Sequence, residues 1–546
     1  MQNAYASDIA GEIIQDFERL AGDRGNFEQH WLEIAERVIP AHRTSFQSNK
    51  GNQYSKGEKR TEFIYDSTAS VALGRFAAIM DSLLTPRNQT WHRLMASDPN
   101  LNKDRSVRLW FEDVNRILFK NRYAPRANFS SQNQLTYKSL GAYGTSCLFV
   151  DKLHGINEKG LRYKNVHLGE IFFAENHQGI IDKAYRYFDL TARQAKQKWK
   201  DKCPQKIKDA VNPEQPFWFI HCVKPRADLD PERVDYKGMM YGSYYVSIEE
   251  RLMFDEGGYN TFPYPGSRYE QAPGEVYGRS PAMEVLPAIK TLNEQKKTLL
   301  KQGHRVVDPV LLAYDDGVMN SFSLKPGAVN YGGVSSDGRP LVHTLPTGRV
   351  DVGKELMDDE KALINDAFLI TIFQILTETP QQTATEVLER TKEKGILLAP
   401  TIGRQQSEYL GPLIDRELDI LAQEKLIPPM PPLLREAKGE YRLEYDSPLS
   451  RAQRAEEAAG LARTLETALN VVNITQNPEP LDHFNWDVIM PEVSEIQGVP
   501  FRWMKDPKMV QQIRAARAQQ QQMAQMTNAA PGAAALMKAG AAVQGK

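Results

Sequence analysis

Lysine side chains recur on one side of a helix predicted between Pro281 and Arg305. Lys290, Lys297 and Lys301 fall within about 40° of one another when a helix advances about 100° per residue. Ammonium groups spaced in this way could contact successive phosphates of a nucleic acid, and each phosphate they neutralised would add salt-dependent affinity. They could instead pair with carboxylates of a neighbouring helix. The sequence leaves both possibilities open.

The signature motifs of several enzyme classes are absent. A nucleotide-driven motor needs a G-x-x-x-x-G-K-[ST] phosphate cradle, but Gly353-Lys354 is followed by Glu355. The chain also lacks H-E-x-x-H, G-x-S-x-G and G-x-G-x-x-G. We therefore expect no catalytic residues and no nucleotide cofactor.

Residues that could bind a metal ion are scattered along the chain. The three cysteines lack C-x-x-C spacing, which fits a reducing compartment better than a disulfide framework or a zinc site. The ten histidines include no close pair at ligand spacing. Asp315-Asp316 and Asp358-Asp359 could hold a divalent ion, but a solvated turn and a solvated helix face are simpler interpretations. We expect neither a metal site nor any other cofactor.

Two helices of matching length around a compact insert would position the lysines. Apolar residues recur every three or four positions in residues 281–305 and again in residues 353–376. Pro287 either starts or bends the first helix. We predict an antiparallel pair, mainly basic on the first helix and mainly acidic on the second, with the insert at its tip. Glycines and prolines divide the insert, which predicts a small β-subdomain with strands at 310–313, 328–331 and 341–345.

The flanking segments predict an α+β chain that is mostly helical. Small residues in the helix over 64–84 would let a neighbouring helix approach closely. The other predicted helices are 7–39, 107–120, 130–140, 404–427 and 450–473, with a last one starting at Pro507. Strands are predicted at 147–150, 161–166, 169–174, 183–188, 217–223, 243–248 and 441–445, and a stiff proline-rich spacer at 427–432.

The most specific motif begins at Thr383 and ends at Arg416. Thr383-Ala384-Thr385-Glu386-Val387 is followed by Arg390, Glu393, Leu398, Pro400, Arg404, Glu408, Pro412-Leu413-Ile414 and Arg416. This pattern resembles the signature of the portal proteins, the head-to-tail connectors of short-tailed bacteriophages. Two further motifs resemble the same family: Asp66-Ser67-Thr68-Ala69 followed by Leu84-Thr85-Pro86 and Trp91, and Glu275-Val276-Tyr277-Gly278-Arg279-Ser280-Pro281.

The resemblance implies a portal architecture of wing, stem, clip and crown that assembles into a ring with a central channel. The parts it implies are a wing (1–280), a first stem helix (281–306), a clip (307–352), a second stem helix (353–376), a channel loop (377–385), a long wing helix (386–427), a crown (428–527) and a disordered tail (528–546).

The same resemblance implies a structural function and not an enzymatic one. Identical chains, twelve in this family, would surround double-stranded DNA while it is packaged and ejected. The implied partners are the terminase motor, a tail adaptor, and scaffold and capsid proteins, with no membrane. The implied location is the portal vertex of the virion, after assembly in the host cytoplasm.

The candidate channel residues combine the lysines with the polar loop. Lys290, Lys297 and Lys301 would form spaced basic rings, or would pair with Glu355, Asp358, Asp359 or Asp366 of a neighbouring stem. The loop 377–385 would form a mobile constriction, or would be an interhelical turn packed against the wing. Its candidates for contact with DNA are Thr379, Gln381 and Gln382.

Composition is compatible with this interpretation and with two rivals. The chain has 546 residues, enough for roughly three or four domain-sized units, and its 68 basic and 69 acidic residues nearly cancel. It contains no apolar run of the ~18 residues that a membrane span needs, and its N-terminus does not match a secretory signal. The rivals are another ring, adaptor or capsid protein of a virion, and a metal-dependent nuclease or hydrolase.

Overall fold

The computed structural model of the protein describes residues 2–42, 46, 61–153, 158–313, 323–346, 350–371, 398–437, 439–445, 448–476, 479–496, 499, 501–506 and 509–522. The helices are α1 (Gln2–Asp23), α2 (Gly25–Arg37), α3 (Thr68–Leu84), α4 (Arg105–Arg122), α5 (Phe129–Tyr143), α6 (Ala192–Trp199), α7 (Gln205–Lys208), α8 (Pro281–Glu284), α9 (Leu286–Val307), α10 (Val350–Ala367), α11 (Gly411–Gln423), α12 (Pro432–Glu436), α13 (Pro448–Thr475) and α14 (Trp486–Ile496), and residues 398–404 and 509–522 are also helical. The strands are β1 (His92–Ala96), β2 (Thr145–Lys152), β3 (Leu161–Asn165), β4 (Ile171–Glu175), β5 (Ile181–Thr191), β6 (Pro216–Pro225), β7 (Tyr241–Ser247), β8 (Leu252–Tyr259), β9 (Gly266–Arg268), β10 (Leu311–Ala313), β11 (Val342–Thr344) and β12 (Tyr441–Tyr445). The predicted mixture of helices and sheets is confirmed.

The chain forms two compact units. The first contains residues 1–89 and 118–426, and the second contains residues 90–117 and 427 onward. In the second unit β1 pairs antiparallel with β12, with His92 opposite Tyr445, and Trp110 Nε1 donates to the carbonyl of Pro428 at 3.0 Å. The predicted segment 1–280 thus contributes residues 90–117 to the second unit, through a strand pairing that local sequence does not encode.

A five-stranded antiparallel sheet in the order β4-β5-β6-β7-β8 lies in the first unit. Its central strand, β6, is apolar at nearly every position from Phe217 to Val223 because both faces are covered. Phe219 packs with α6 and α7, whereas Ile220 and Cys222 pack with α1. This alternation follows from the two-residue period of a strand.

The helix predicted over residues 7–39 consists of two helices, α1 and α2, which meet at Arg24. The guanidinium of Arg24 is buried, donates to the carbonyl of Leu168 at 2.8 Å, and lies 3.5 Å from the ring centroid of Phe172. These contacts with β4 and the residues before it hold the side chain of Arg24 where α1 ends and α2 begins. The prediction of one helix is therefore wrong, because a contact so distant along the chain leaves no periodic signal.

Helices α3 and α5 pack closely in the first unit. Ala69, Ala72 and Ala77 of α3 are buried, which confirms the role predicted for small residues there. The tightest contact is made by Gly141 of α5, where an added Cβ would lie 2.6 Å from Cδ1 of Phe76. Small residues on both helices therefore allow the close approach.

A fully buried ion pair anchors α11 in the first unit. Arg122 Nε donates to Glu417 Oε1 at 2.9 Å, and the hydroxyl of Tyr163 donates to the same carboxylate at 2.6 Å. Burial would lower the pKa of Arg122, but the Glu417 carboxylate raises it above its ordinary value, so the guanidinium stays charged. Breaking a buried ion pair by removing one partner costs about 3–5 kcal/mol of folding free energy. The pair of Arg122 with Glu417 therefore contributes strongly to holding α11 in place.

Gly144 and Gly278 touch where the chain enters α8. Gly144 has a φ of 74°, in the left-handed region, and an added Cβ would lie 2.3 Å from the carbonyl oxygen of Gly278. Gly278 N–H donates to Thr145 Oγ1 at 2.8 Å, and Ser280 Oγ donates to the carbonyl of Ala142 at 2.8 Å. The end of α5 and the start of β2 thus fix where the chain enters α8 and α9 within the first unit.

We predict that Gly144→Ala destabilises the chain more than Gly179→Ala. Gly179 also has a positive φ, 76°, but an added Cβ meets nothing within 4 Å. Alanine there therefore destabilises the fold only because it must adopt a left-handed conformation, at a free-energy cost of about 1–2 kcal/mol. At Gly144 the clash with Gly278 adds about 1–3 kcal/mol. Urea unfolding of the two variants measures the difference, and equal midpoints would contradict the close packing.

Candidate functional site

The predicted helix pair is present as α9, with 22 residues, and α10, with 18. Between them β10 and β11 pair antiparallel, with Leu311 opposite Thr344, so the two helices run in opposite directions. An added Cβ at Gly353 of α10 would lie 3.2 Å from Cδ1 of Leu299. The helices are therefore in contact close to the end that carries the insert.

The ends of the pair differ in detail from the prediction. Helix α9 begins at Leu286 with Pro287 in its first turn, so the proline starts this helix. Helix α10 ends at Ala367, and Leu369 follows with a φ of 62°. The predicted continuation over 372–376 lies outside the described residues.

One strand predicted in the insert is wrong. Residues 328–331 do not pair with another strand. Instead, the side chain of Asn330 accepts a hydrogen bond from Ser323 N at 2.8 Å and donates to the carbonyl of Ser323 at 2.9 Å. An asparagine side chain thus takes the place of a partner strand, and the apolar run remains in a turn.

Contacts with α2 and with residues 63–66 hold the base of α9. Lys290 Nζ donates to Glu33 Oε2 at 2.6 Å, and this hydrogen bond holds the pKa of Glu33 below its ordinary value. Asn293 Oδ1 accepts from Tyr65 N at 2.8 Å, and Asn293 Nδ2 donates to the carbonyl of Phe63 at 3.0 Å. The amide side chain of Asn293 therefore pairs with both a backbone N–H and a backbone carbonyl of residues 63–66.

The candidate lysines share the side of α9 that points away from α10. They lie within about 20° of the direction opposite Leu299. Lys297 Nζ lies 3.3 Å from Glu294 Oε2 and 5.7 Å from the ring centroid of Tyr65. Lys301 is exposed and has no partner among the described residues. Lys290 and Lys297 thus already have partners within their own chain.

The remaining site predictions receive little structural information. Thr379, Gln381 and Gln382, with the whole loop 377–385, lie outside the described residues, as do Asp315 and Asp316. Asp358 pairs with Lys361 at 2.8 Å. Within the described ranges, no three His, Cys, Asp or Glu side chains form a group that could hold a metal ion.

Apolar side chains remain uncovered on both helices of the pair. On α9, Leu300 and Val307 are 45% and 86% exposed, and on α10, Leu356 and Leu363 are each 53% exposed. A spacing of seven residues returns to nearly the same side of a helix. We call these the Leu300 stripe and the Leu356 stripe.

The two stripes lie on opposite sides of the pair. Leu300 follows Leu299, which faces α10, whereas Leu356 precedes Met357, which is buried on the side of α10 that faces α9. Each step turns the position by about 100°. Because the two helices are antiparallel, moving one residue forward along α9 and moving one residue back along α10 rotate the side-chain direction in the same sense. The stripes therefore point in opposite directions, at right angles to the contact between the helices.

Charged side chains occupy the two outermost sides of the pair. Glu355, Asp359 and Asp366 are exposed and lie within about 40° of the direction pointing away from α9. The candidate lysines lie on the far side of α9. The pair therefore has a mainly basic side, a mainly acidic side and, between them, two sides that carry the exposed apolar stripes.

A model of the bacteriophage head to tail connecting protein family matches residues 10–504. The chain belongs to that family. It is 29% identical over 525 residues to a probable portal protein of Bordetella phage BPP-1 and 27% identical over 525 residues to the portal protein of Salmonella phage epsilon15. Each alignment covers 94% of this chain and 92% of the relative.

The family resemblance predicted from three motifs is thereby confirmed. The function of this connecting protein is structural, at the junction of a phage head and tail. None of its described helices is both long enough and apolar enough to cross a membrane.

Sequence reasoning missed the residues that hold the base of α9 in this connecting protein. Glu33 and Asn293 carry no spacing signal, since their partners are distant along the chain. Gly278 and Ser280, by contrast, belong to a motif that the sequence singled out, and the structure gives both a physical role at the entrance to α8.

We predict that Asn293→Ala increases hydrogen exchange at the amide of Tyr65. Losing the acceptor costs about 1 kcal/mol, which corresponds to roughly fivefold faster exchange. Asn293→Asp is the comparison variant: it keeps an oxygen for Tyr65 N, although its second oxygen faces the carbonyl of Phe63 without a proton to donate, and it should protect the amide of Tyr65 better than alanine does. Unchanged exchange in the alanine variant would show that Asn293 does not hold this segment.

Proposed function

We propose that copies of this chain form a ring at one vertex of a phage head, with their helix pairs side by side around a channel for double-stranded DNA. The two oppositely directed stripes carry this proposal. Contact between the Leu300 stripe of one copy and the Leu356 stripe of the next is head-to-tail, and contacts of this type form a ring when the rotation between copies closes. Each buried leucine or valine contributes about 1.5–3 kcal/mol.

If the apolar stripes form the contact between neighbouring copies, one charged side of each helix pair faces the channel and the other faces the outside of the ring. Because the stripes and the charged sides are nearly at right angles, both cannot lie between the same neighbours. Pairing of lysines with the carboxylates of the adjacent stem is therefore disfavoured.

We place the acidic side of α10 toward the channel. Helix α2 covers the lysine side at Lys290, whereas Glu355, Asp359 and Asp366 are exposed. Carboxylates repel phosphates and would let DNA slide without being held. Lys297 and Lys301 would then lie outside the channel, in contrast to one of the two possibilities that the sequence left open, the spaced basic rings.

The parts named from the family resemblance belong to this proposal. Residues 281–306 and 353–376 would form the stem, 307–352 the clip, and 377–385 a channel loop, in a ring of twelve copies. Exposed apolar side chains at the insert, among them Val306 and Tyr331, support a contact surface there for the terminase and later for a tail adaptor. Membership of a structural family supports a role without catalysis.

Replacing the Leu356 stripe with charges is expected to prevent ring closure. In Leu356→Glu with Leu363→Glu, two carboxylates would be buried against the neighbour without partners, which is strongly unfavourable. Negative-stain images and sedimentation of purified protein measure the outcome. Val211→Glu, at a side chain that is 96% exposed in the first unit, is the control and should form rings. Rings from both variants would contradict the proposed interface.

The orientation of the charged sides is tested with two charge reversals in assembled particles. Glu355→Lys should slow DNA passage at low salt, because a ring of lysines would bind phosphates. Passage should recover as salt rises, because the slope of the logarithm of the binding constant against the logarithm of the salt concentration becomes steeper by about 0.9 for each phosphate contact. Lys301→Glu, a matched reversal on the opposite side, should leave passage unchanged. The reverse pattern, measured by the salt dependence of packaged-DNA yield, would place the lysines in the channel.

A further inference from the structure

Helix α9 is interrupted at its base. Val285 separates it from α8 and has a φ of −95° and a ψ of 13°, outside the α-helical range. Pro287 follows in the first turn of α9. A proline has no N–H to donate to the carbonyl four residues earlier, here that of Met283, and sharp breaks in helices typically occur at proline. The hydrogen-bond ladder is therefore weakened between α8 and α9.

Helix α10 is interrupted at its own base. It ends at Ala367, and Leu369 has a φ of 62°, in the left-handed region. Side chains other than glycine seldom adopt this conformation, and such residues persist only where the surrounding structure holds them. The N–H of Leu369 donates to the carbonyl of Asp366 at 2.9 Å, which closes the end of the helix.

The two interruptions lie at the same height along the helix pair. Leu299 and Gly353 face each other across the pair. Val285 precedes Leu299 by 14 residues, and Phe368 follows Gly353 by 15, which corresponds to about 21 and 22 Å at about 1.5 Å per residue. Because the helices are antiparallel, both counts lead toward the same end of the pair. We call this height the hinge level (Val285 and Phe368).

The chain on the side of the hinge level away from the insert is firmly packed. Met283 of α8 is buried, and so are Phe368 and Ile370. The ring of Phe368 lies 6.1 Å from that of Phe76 in α3. These residues cannot follow a tilt of the helix pair without losing their packing. A tilt must therefore be taken up at the hinge level, where both helices are interrupted.

Side chains of α9 beyond the hinge level bond to the rest of the first unit. Lys290 Nζ donates to Glu33 Oε2 at 2.6 Å, while Asn293 accepts from Tyr65 N at 2.8 Å and donates to the carbonyl of Phe63 at 3.0 Å. Lys290 and Asn293 lie about 8 and 12 Å beyond the hinge level. These bonds therefore oppose a tilt. We call Glu33, Lys290 and Asn293 the brace.

We infer that the brace residues Glu33, Lys290 and Asn293 are positioning residues that set the angle between the helix pair and the rest of the first unit. A tilt of roughly 5° at the hinge level would move Val307, about 33 Å away, by about 3 Å. A neutral hydrogen bond shifts an equilibrium about fivefold, and an exposed ion pair by up to about as much. Removing the brace should therefore raise the ratio of tilted to upright chains roughly 25- to 100-fold.

The angle would have a direct consequence in the proposed ring. It would set how far each insert stands from the ring axis, and hence how wide the channel is at that end. This consequence rests on the proposed function, whereas the angle itself is a property of one chain.

Distances between spin labels in the full-length chain test the inference. The labels replace the exposed Arg305 of α9 and the exposed Gln197 of α6, and the native cysteines are buried and should not react. Sedimentation first separates unassembled chains, so that neighbouring copies cannot hold the helix pair. Lys290→Met with Asn293→Ala should broaden or shift the distance distribution by about 3 Å or more. Lys301→Met, a matched change at an exposed lysine on the same side of α9, should leave it unchanged.

A second pair of labels distinguishes tilting from local unfolding. Labels at Arg305 and at the exposed Ala362 of α10 keep their distance if the helix pair moves as one body. A change in the first distance alone, in the double variant alone, supports the inference. An unchanged first distance overturns it, and so does a change in both distances. If the unaltered chain forms no rings, the proposed function fails, while these distances within one chain still decide the role of the brace.

Discussion

A pair of long antiparallel helices cannot cover its own apolar residues, and this constraint organises the molecule. A helix in a two-helix contact buries only the side that faces its partner. Leu299 and Met357 occupy that side, and Leu300, Val307, Leu356 and Leu363 do not. Within the part of the chain that the structure describes, nothing covers these four side chains, and exposed apolar surface of this kind favours contact with another molecule. The proposed ring would cover them by contact between neighbouring copies.

Within the first unit, packing contacts hold this helix pair firmly at one end. The contact between Gly144 and Gly278 fixes the entry to α8, Asn293 binds the segment beside α9, and the pair of Arg122 with Glu417 holds α11. Each of these contacts joins residues that are far apart in the sequence. A ring assembled from such subunits would keep its geometry because the helix pair is fixed on a packed sheet and helix layer and not on a flexible linker.

Local sequence predicted what depends on periodicity. The strands around Phe219 and Ile220 are there because apolar residues fill both faces of β6, and α3 is there because its alanines repeat at helical spacing. Prediction from local sequence failed where a side chain that is distant along the chain determines the backbone conformation. The predicted first helix is interrupted at Arg24, whose side chain contacts Leu168 and Phe172, and Asn330 bonds Ser323 in place of a predicted strand. The partner of Glu408, Arg268, could not be predicted either, although the motif containing Glu408 was recognised.

Net charge would give a poor description of how the proposed channel meets DNA. Basic and acidic residues nearly cancel over 546 positions, yet they are segregated on the helix pair, with lysines beyond α9 and carboxylates beyond α10. Salt screens exposed charges over about 8–10 Å, so DNA in a channel would respond to the nearest side of the stem and not to the average of the chain. A weakly repelling wall suits a conduit, because bound phosphates would slow translocation. In the proposed channel the distribution of charge would therefore matter more than its balance, and that distribution becomes visible only when the two helices are placed side by side.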